Sequence, residues 1–154
     1  MPAAAEGDGP DPISEGGAEA IHASAVALDG RGLLILGAAG SGKSALALEL
    51  MARGARLVSD DQVALSVEGG RLIARAPAAI RGRIEARFVG ILNAETIPEA
   101  EVALAVDLDR AETDRLPPRR SKKLLGVTFP LLHNAAIPSF PAAILQYLKA
   151  GRSD

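Results

Sequence analysis

The 154-residue sequence predicts a P-loop α/β domain built on a mixed central sheet, and three observations carry that prediction. Residues Gly37-Ala38-Ala39-Gly40-Ser41-Gly42-Lys43-Ser44 spell a complete G-x-x-x-x-G-K-[ST] loop. An apolar run, Leu33 to Leu36, delivers the loop, and the helix-like Ser44 to Met51 leaves it. Short apolar segments elsewhere alternate with glycine turns of hairpin type, which argues against an all-parallel sheet.

The elements follow in order. Residues 1–19 are dominated by Ala, Gly, Pro, Glu and Asp without Lys or Arg, and read as a disordered acidic tail before a domain over 20–154. Ile21 to Leu28 reads as a strand, and Asp29-Gly30-Arg31-Gly32 as a hairpin turn into the next. Gly54 suits the position just past the helix end. Ala55 to Ser59 reads as a short buried strand running into Asp60-Asp61. Gln62–Val67, Glu68-Gly69-Gly70 and Arg71–Ala76 read as a hairpin. Pro77 to Ile84 reads as helix or turn, Phe88 to Leu92 and Val102 to Leu108 as strands, and Arg110 to Lys123 as a mobile polar loop. Leu124 to Leu131 reads as a last strand. Ser139 before Pro141 reads as the N-cap of a helix that runs to Ala150.

Composition narrows the function classes. The formal charge is −2, with 48% apolar and 23% charged residues, so no global field draws the chain to nucleic acid. The absence of cysteine excludes disulfides and thiol chemistry and matches a cytoplasmic location. No apolar run approaches the ~18 residues of a membrane span.

In such a loop, backbone amides and a helix N-terminus surround phosphate oxygens. Lys43 reaches the β/γ-phosphates, and the Ser44 hydroxyl ligates Mg²⁺. Residues 37–44 are therefore the expected nucleotide cradle. Asp60 and Asp61 leave a strand 17 and 18 residues after Lys43, where P-loop enzymes hold an acid facing metal or nucleophile. Burial of the two carboxylates against one another would suit a group that both takes and gives a proton. His22 precedes the loop on a strand. Glu85 and Arg87 alternate with apolar residues. Arg119-Arg120-Ser121-Lys122-Lys123 puts four positive charges into five residues, fit for clamping anions.

Taken together these residues resemble the catalytic domain of bacterial HPr kinase/phosphorylase, over about Ile21 to Leu116. The similar stretches are Ile21 to Ile35, Gly37 to Leu50, Arg53-Gly54 with Arg56 to Asp61, Ala76-Pro77 with Ile84 to Ile91, and Asp114-Arg115-Leu116. The resemblance implies a fold of the HPr kinase and phosphoenolpyruvate carboxykinase type. It implies an ATP- and Mg²⁺-dependent serine kinase whose substrate is the phosphocarrier HPr or a paralogue, within a sugar or nitrogen phosphotransferase system. Lys43 and the loop would hold ATP, and Ser44 with Glu85 would hold Mg²⁺. Asp61 would exchange the proton in either direction beside Asp60, with His22 and Arg115 completing the site. Hexameric assembly is the family's habit.

The sequence departs from that pattern in three places. It has the look of the short form, lacking the separate N-terminal domain of long members. Phe88-Val89-Gly90 replaces Gly-Leu-Gly. The family's V-P-V-x-P-G-R-N segment, tied to phosphorolysis, is not recognisable in Val127 to Pro141. Two other readings stay open: a small-metabolite P-loop kinase, and a non-catalytic nucleotide sensor that regulates a partner.

Overall fold

The computed structural model describes residues 19–154, and the expected tail over 1–18 lies outside them. Glu19 already belongs to the first strand. The elements are β1 (Glu19–Ile21), β2 (Ala23–Leu28), β3 (Arg31–Leu36), α1 (Lys43–Ala52), β4 (Arg56–Ser59), β5 (Val63–Glu68) and β6 (Arg71–Arg75), then β7 (Arg83–Ala86), β8 (Gly90–Asn93), β9 (Glu99–Ala111), β10 (Arg120–Leu124), β11 (Val127–Asn134) and α2 (Phe140–Ala150).

Among the described residues one nine-stranded sheet runs β1-β5-β6-β9-β3-β2-β4, with β11 parallel to the distal half of β9 and β10 antiparallel to β11. β9 runs parallel to both β3 and β11, whereas β2 and β6 flank the β3–β9 pair antiparallel, so the sheet is mixed as expected. It also curls. β1 and β4 stand at opposite ends of the hydrogen-bonded order, yet only His22 separates β1 from β2, and only Asp60 to Gln62 separate β4 from β5. The two edges therefore meet at a seam made of His22 and Asp60-Asp61, tied by the Ala23 amide donating to the Asp61 carbonyl at 3.2 Å.

Strand alternation sorts the core onto two faces. Val26, Leu33, Ile35, Leu104 and Val106 meet α1 and α2 through Leu46, Leu50, Ile144 and Leu148. Ala23, Ala25, Ala27 and Leu34 face into the curl with Val63, Leu65, Leu72 and Phe129. The alanines of β2 are small enough to let the sheet close tightly there. α1 ends as its Gly54 suggests: the Ala55 amide reaches Leu50 and the Gly54 amide reaches Met51, both at 3.1 Å, around a glycine at φ 111.

Several expectations need correction. Ile21 to Leu28 is two strands with a bend at His22, because β1 and β2 serve opposite sheet edges. Of the two options for Pro77 to Ile84 the turn holds, as one 3-10 turn over Ala78–Ile80, but β7 begins within the range at Arg83. Phe88 lies in a turn rather than a strand, at φ 70. The basic stretch is no mobile loop: Arg120–Leu124 forms β10, paired with β11 through a turn at Leu125-Gly126. That turn, which interrupts the expected Leu124–Leu131 strand, is hidden by a leucine at φ 49, in a position usually given to Asn, Asp or Gly. Its side chain packs against the inner core, which accounts for an apolar residue there. Ser139 precedes α2, but its side chain makes no capping bond.

Candidate functional site

β3 ends at Leu36 and feeds residues 37–42 directly into α1, whose N-cap is Gly42 at φ 104. No side chain caps this end and no acid stands in its first turn, so the first-turn amides face outward without a helical acceptor. Lys43 is buried, and its Nζ donates to the carbonyls of Gly37 at 2.8 Å and Ala38 at 3.1 Å. Ser41 Oγ is buried without a partner among the described residues. An orphaned hydroxyl beside free amides and an ammonium suits a phosphate group.

Gly37 admits no side chain. A Cβ there would stand 2.4 Å from Ser41 Oγ and 3.3 Å from the Leu108 Cβ, at φ 152. Gly37→Ala should therefore distort the loop and weaken nucleotide affinity by about tenfold or more, near 1.4 kcal/mol. Calorimetric titration with ATP checks this, and unchanged affinity would contradict it.

The two seam carboxylates do different things. Asp60 is buried and accepts from Ser24 Oγ at 2.8 Å, Ser44 Oγ at 2.7 Å and the Glu85 amide at 3.1 Å. One side chain thus joins β2, the loop helix and β7. Asp61, at φ 72, turns outward with a side chain 68% exposed, and its Oδ1 lies 3.5 Å from His22 Nδ1. Its amide donates to Ser24 Oγ at 3.2 Å. The expected mutual burial of the pair does not occur, because the left-handed turn at Asp61 sends the carboxylates to opposite sides of the seam.

Of the expected site residues, His22, Lys43, Ser44, Asp60 and Asp61 are linked by these contacts. Glu85 joins through its backbone, while its side chain is exposed. Arg115 is exposed between β9 and β10 and makes no hydrogen bond or ion pair with the described residues. The basic stretch is largely committed elsewhere. Arg119 donates to the Asp154 carbonyl, while Arg120 reaches Glu112 Oε2 at 3.1 Å and His133 Nδ1 at 3.2 Å.

Three contributors escaped sequence reading. Ser24 sits fully buried beneath Asp60, one serine among alanines with no motif of its own. Asp109 accepts from the Ala38 amide at 2.9 Å and fixes the first turn of the loop. It left a readable signal: Ala103 to Val106 is an apolar run ending at Asp107, on the strand parallel to β3. Glu112 organises the chain before Arg115, accepting from the amides of Thr113 at 3.1 Å and Asp114 at 3.2 Å as well as from Arg120.

Burial opposes ionisation of Glu112, but the Asp114 amide, Arg120, the Thr113 amide and His133 outweigh it and hold its carboxyl below the usual glutamate range. The ionised form therefore stabilises the fold above about pH 4.3, and that contribution fades as the pH falls through the depressed value. Glu112→Gln should flatten the acid limb of a Tm-against-pH curve in this range. An unchanged slope would remove Glu112 as its source.

Comparison with known proteins agrees with this geometry. The family described as HPr Serine kinase C-terminal domain matches residues 16–132. The HPr kinase/phosphorylase of Geobacillus thermodenitrificans is 36% identical over 139 residues, covering 82% of this chain and 45% of that protein. That of Clostridium beijerinckii is 38% identical over 101 residues, covering 61% and 33%. The chain thus spans less than half the length of the curated relatives it matches. The solved Hpr(Ser) kinase/phosphatase of Coxiella burnetii superposes with a TM-score of 0.72 at 28% identity, covering 85% of this chain and 94% of that one. With its loop, seam and curled sheet, the chain belongs to the HPr serine kinase C-terminal domain family.

Proposed function

We propose that this domain transfers the γ-phosphoryl group of ATP to a serine hydroxyl of a small phosphocarrier protein, HPr or a paralogue. The observation that carries the reading is the seam itself. Asp60, hydrogen-bonded to Ser44 of the phosphate loop, is followed directly by Asp61, exposed and facing His22. A phosphate anchor and an accessible base thus stand side by side. The relatives' names supply the acceptor.

The loop amides and Lys43 hold the phosphates, Lys43 exchanging its present carbonyl partners for phosphate oxygens. Asp61 accepts the serine proton as Oγ bonds to the γ-phosphorus and the bond to the bridging oxygen breaks, with ADP leaving. His22 orients the carboxylate. Arg115, unpaired and exposed, is free to approach the charge that develops. Mg²⁺ suits the hard oxygens of Ser44 and Asp60, with Glu85 on the strand bonded to Asp60. Among the described residues no three acidic or histidine side chains form a cage alone, which fits an ion that takes most of its ligands from phosphates and water. When bound, it neutralises phosphate charge.

The test is incubation with γ-labelled ATP, Mg²⁺ and the phosphocarrier of the same genome, with the label located by mass spectrometry. Phosphoserine on the carrier supports the reading. ATP binding without transfer to it refutes the kinase assignment and favours a nucleotide sensor. Adding inorganic phosphate to labelled carrier then examines the reverse step. The assembly state is read by sedimentation, a hexamer being the family expectation. Among the described residues no helix is long and apolar enough to cross a membrane.

A further inference from the structure

The β7–β8 hairpin stands beside the site and carries side chains that the phosphate chemistry does not use. Ile84 and Ala86 turn inward, and Leu92, opposite Ile84, packs on the same core. The other face presents Arg83, Glu85 and Arg87, with Ile91 opposite Glu85. At the tip, Phe88 is fully exposed and Val89 is 73% exposed. With Ile91 they make three of the five large apolar side chains that the described residues leave in solvent. Clustering of that kind marks an interaction surface, whereas scattered apolar residues do not.

Backbone geometry adds a second observation. The Val89 amide closes a turn onto the Ala86 carbonyl at 2.9 Å, which puts Phe88 third in the turn, at φ 70. That position favours glycine. A phenylalanine held there in water brings neither packing nor hydrogen bonds to the fold.

Charge adds a third. Residues 81–93 hold three arginines, Arg81, Arg83 and Arg87, against one carboxylate, Glu85, a net of +2 on a chain of −2. None of the three makes an ion pair with the described residues, among which Arg83 donates to the Ala79 carbonyl at 2.7 Å. The hairpin is also anchored at the chemistry, since the Glu85 amide binds Asp60. Only Ala86 and Arg87 separate that anchor from Phe88, which keeps the tip within about 10 Å of it along the chain.

We propose that this hairpin tip docks the acceptor, a folded protein that presents its hydroxyl on an apolar surface bordered by carboxylates. Phe88, Val89 and Ile91 bury against the apolar part, and the arginines meet the acidic border. The inference rests on the kinase reading and names the surface through which it selects a substrate.

Phe88→Gly separates docking from folding, because glycine relieves the positive φ and the ring supports nothing in the core. With the full chain and the genome's own phosphocarrier, Phe88→Gly should raise the carrier's KM and Kd about tenfold, leaving ATP affinity and kcat near the parent's. Arg81→Glu with Arg83→Glu should slow association and weaken its salt dependence. Carrier KM and Kd within twofold of the parent in both variants would overturn the proposal. So would a parent chain that neither binds nor labels the carrier. If Phe88→Gly dissolves self-association of the parent while the carrier's Kd is unchanged, the patch belongs to a second copy and the proposal falls. If the parent binds the carrier without phosphorylating it and Phe88→Gly abolishes that binding, docking stands and the kinase reading falls alone.

Discussion

Asp61→Asn is expected to bind ATP as the parent does and to lose phosphoryl transfer to the carrier by about 10²–10⁴-fold, the usual contribution of a positioned general base. The asymmetry between binding and transfer follows from what the side chain touches. Among the described residues its carboxylate meets only His22, at 3.5 Å, and it is largely exposed. The bonds by which residue 61 closes the seam come from its backbone: its carbonyl accepts from Ala23 and its amide donates to Ser24 Oγ. Asparagine tolerates the left-handed conformation at φ 72, so the seam keeps its shape. What disappears, on the proposed mechanism, is the proton acceptor. Single-turnover transfer of γ-label to the carrier, beside calorimetric ATP titration, measures both halves. A transfer rate within threefold of the parent would remove Asp61 from the mechanism. A parallel loss of ATP affinity would mean that its charge serves nucleotide binding instead.

The sequence made some of this legible for identifiable reasons. Local signals read well where backbone need and residue type coincide. Asp29-Gly30 and Gly69-Gly70 take the positive φ values their hairpins require, and Gly54 closes α1 as its position suggests. The phosphate loop is legible because its glycines, lysine and serine are set by one local geometry. Turns formed by unexpected residues read badly. Leu125 and Phe88 both occupy glycine-favouring conformations, so the sequence reads as strand where the chain turns. Long-range organisation was the least legible. The curl that brings the β1–β2 and β4–β5 junctions together depends on pairing across residues 19 to 65, which no window of sequence displays. Asp60 and Asp61 were recognisable as a pair of acids, but their division of labour arises only when one turns inward and the other outward.

That division gives the second large effect: Asp60→Ala should cost about 3–5 kcal/mol of stability, out of the 5–15 kcal/mol a domain of this kind holds. Asp60 accepts three hydrogen bonds in a buried setting. Removing it strands the Glu85 amide and the fully buried Ser24 hydroxyl, each at about 1–3 kcal/mol, and opens a small cavity. Ser44, nearer solvent, can turn to water and adds less. Asp60→Asn keeps one carbonyl acceptor but offers an amide donor where the seam supplies donors already, so its loss should fall between. Urea unfolding at constant m-value measures both, and a cycle with Ser24→Ala isolates the pair. Less than 1 kcal/mol for Asp60→Ala would mean that the seam closes without this carboxylate. Because the same side chain braces Ser44 at the start of α1, ATP affinity should fall together with stability in Asp60→Ala. In Asp61→Asn the two quantities hold while transfer is lost. Opposite signatures from neighbouring aspartates separate a residue that builds the site from one that carries out its proton transfer.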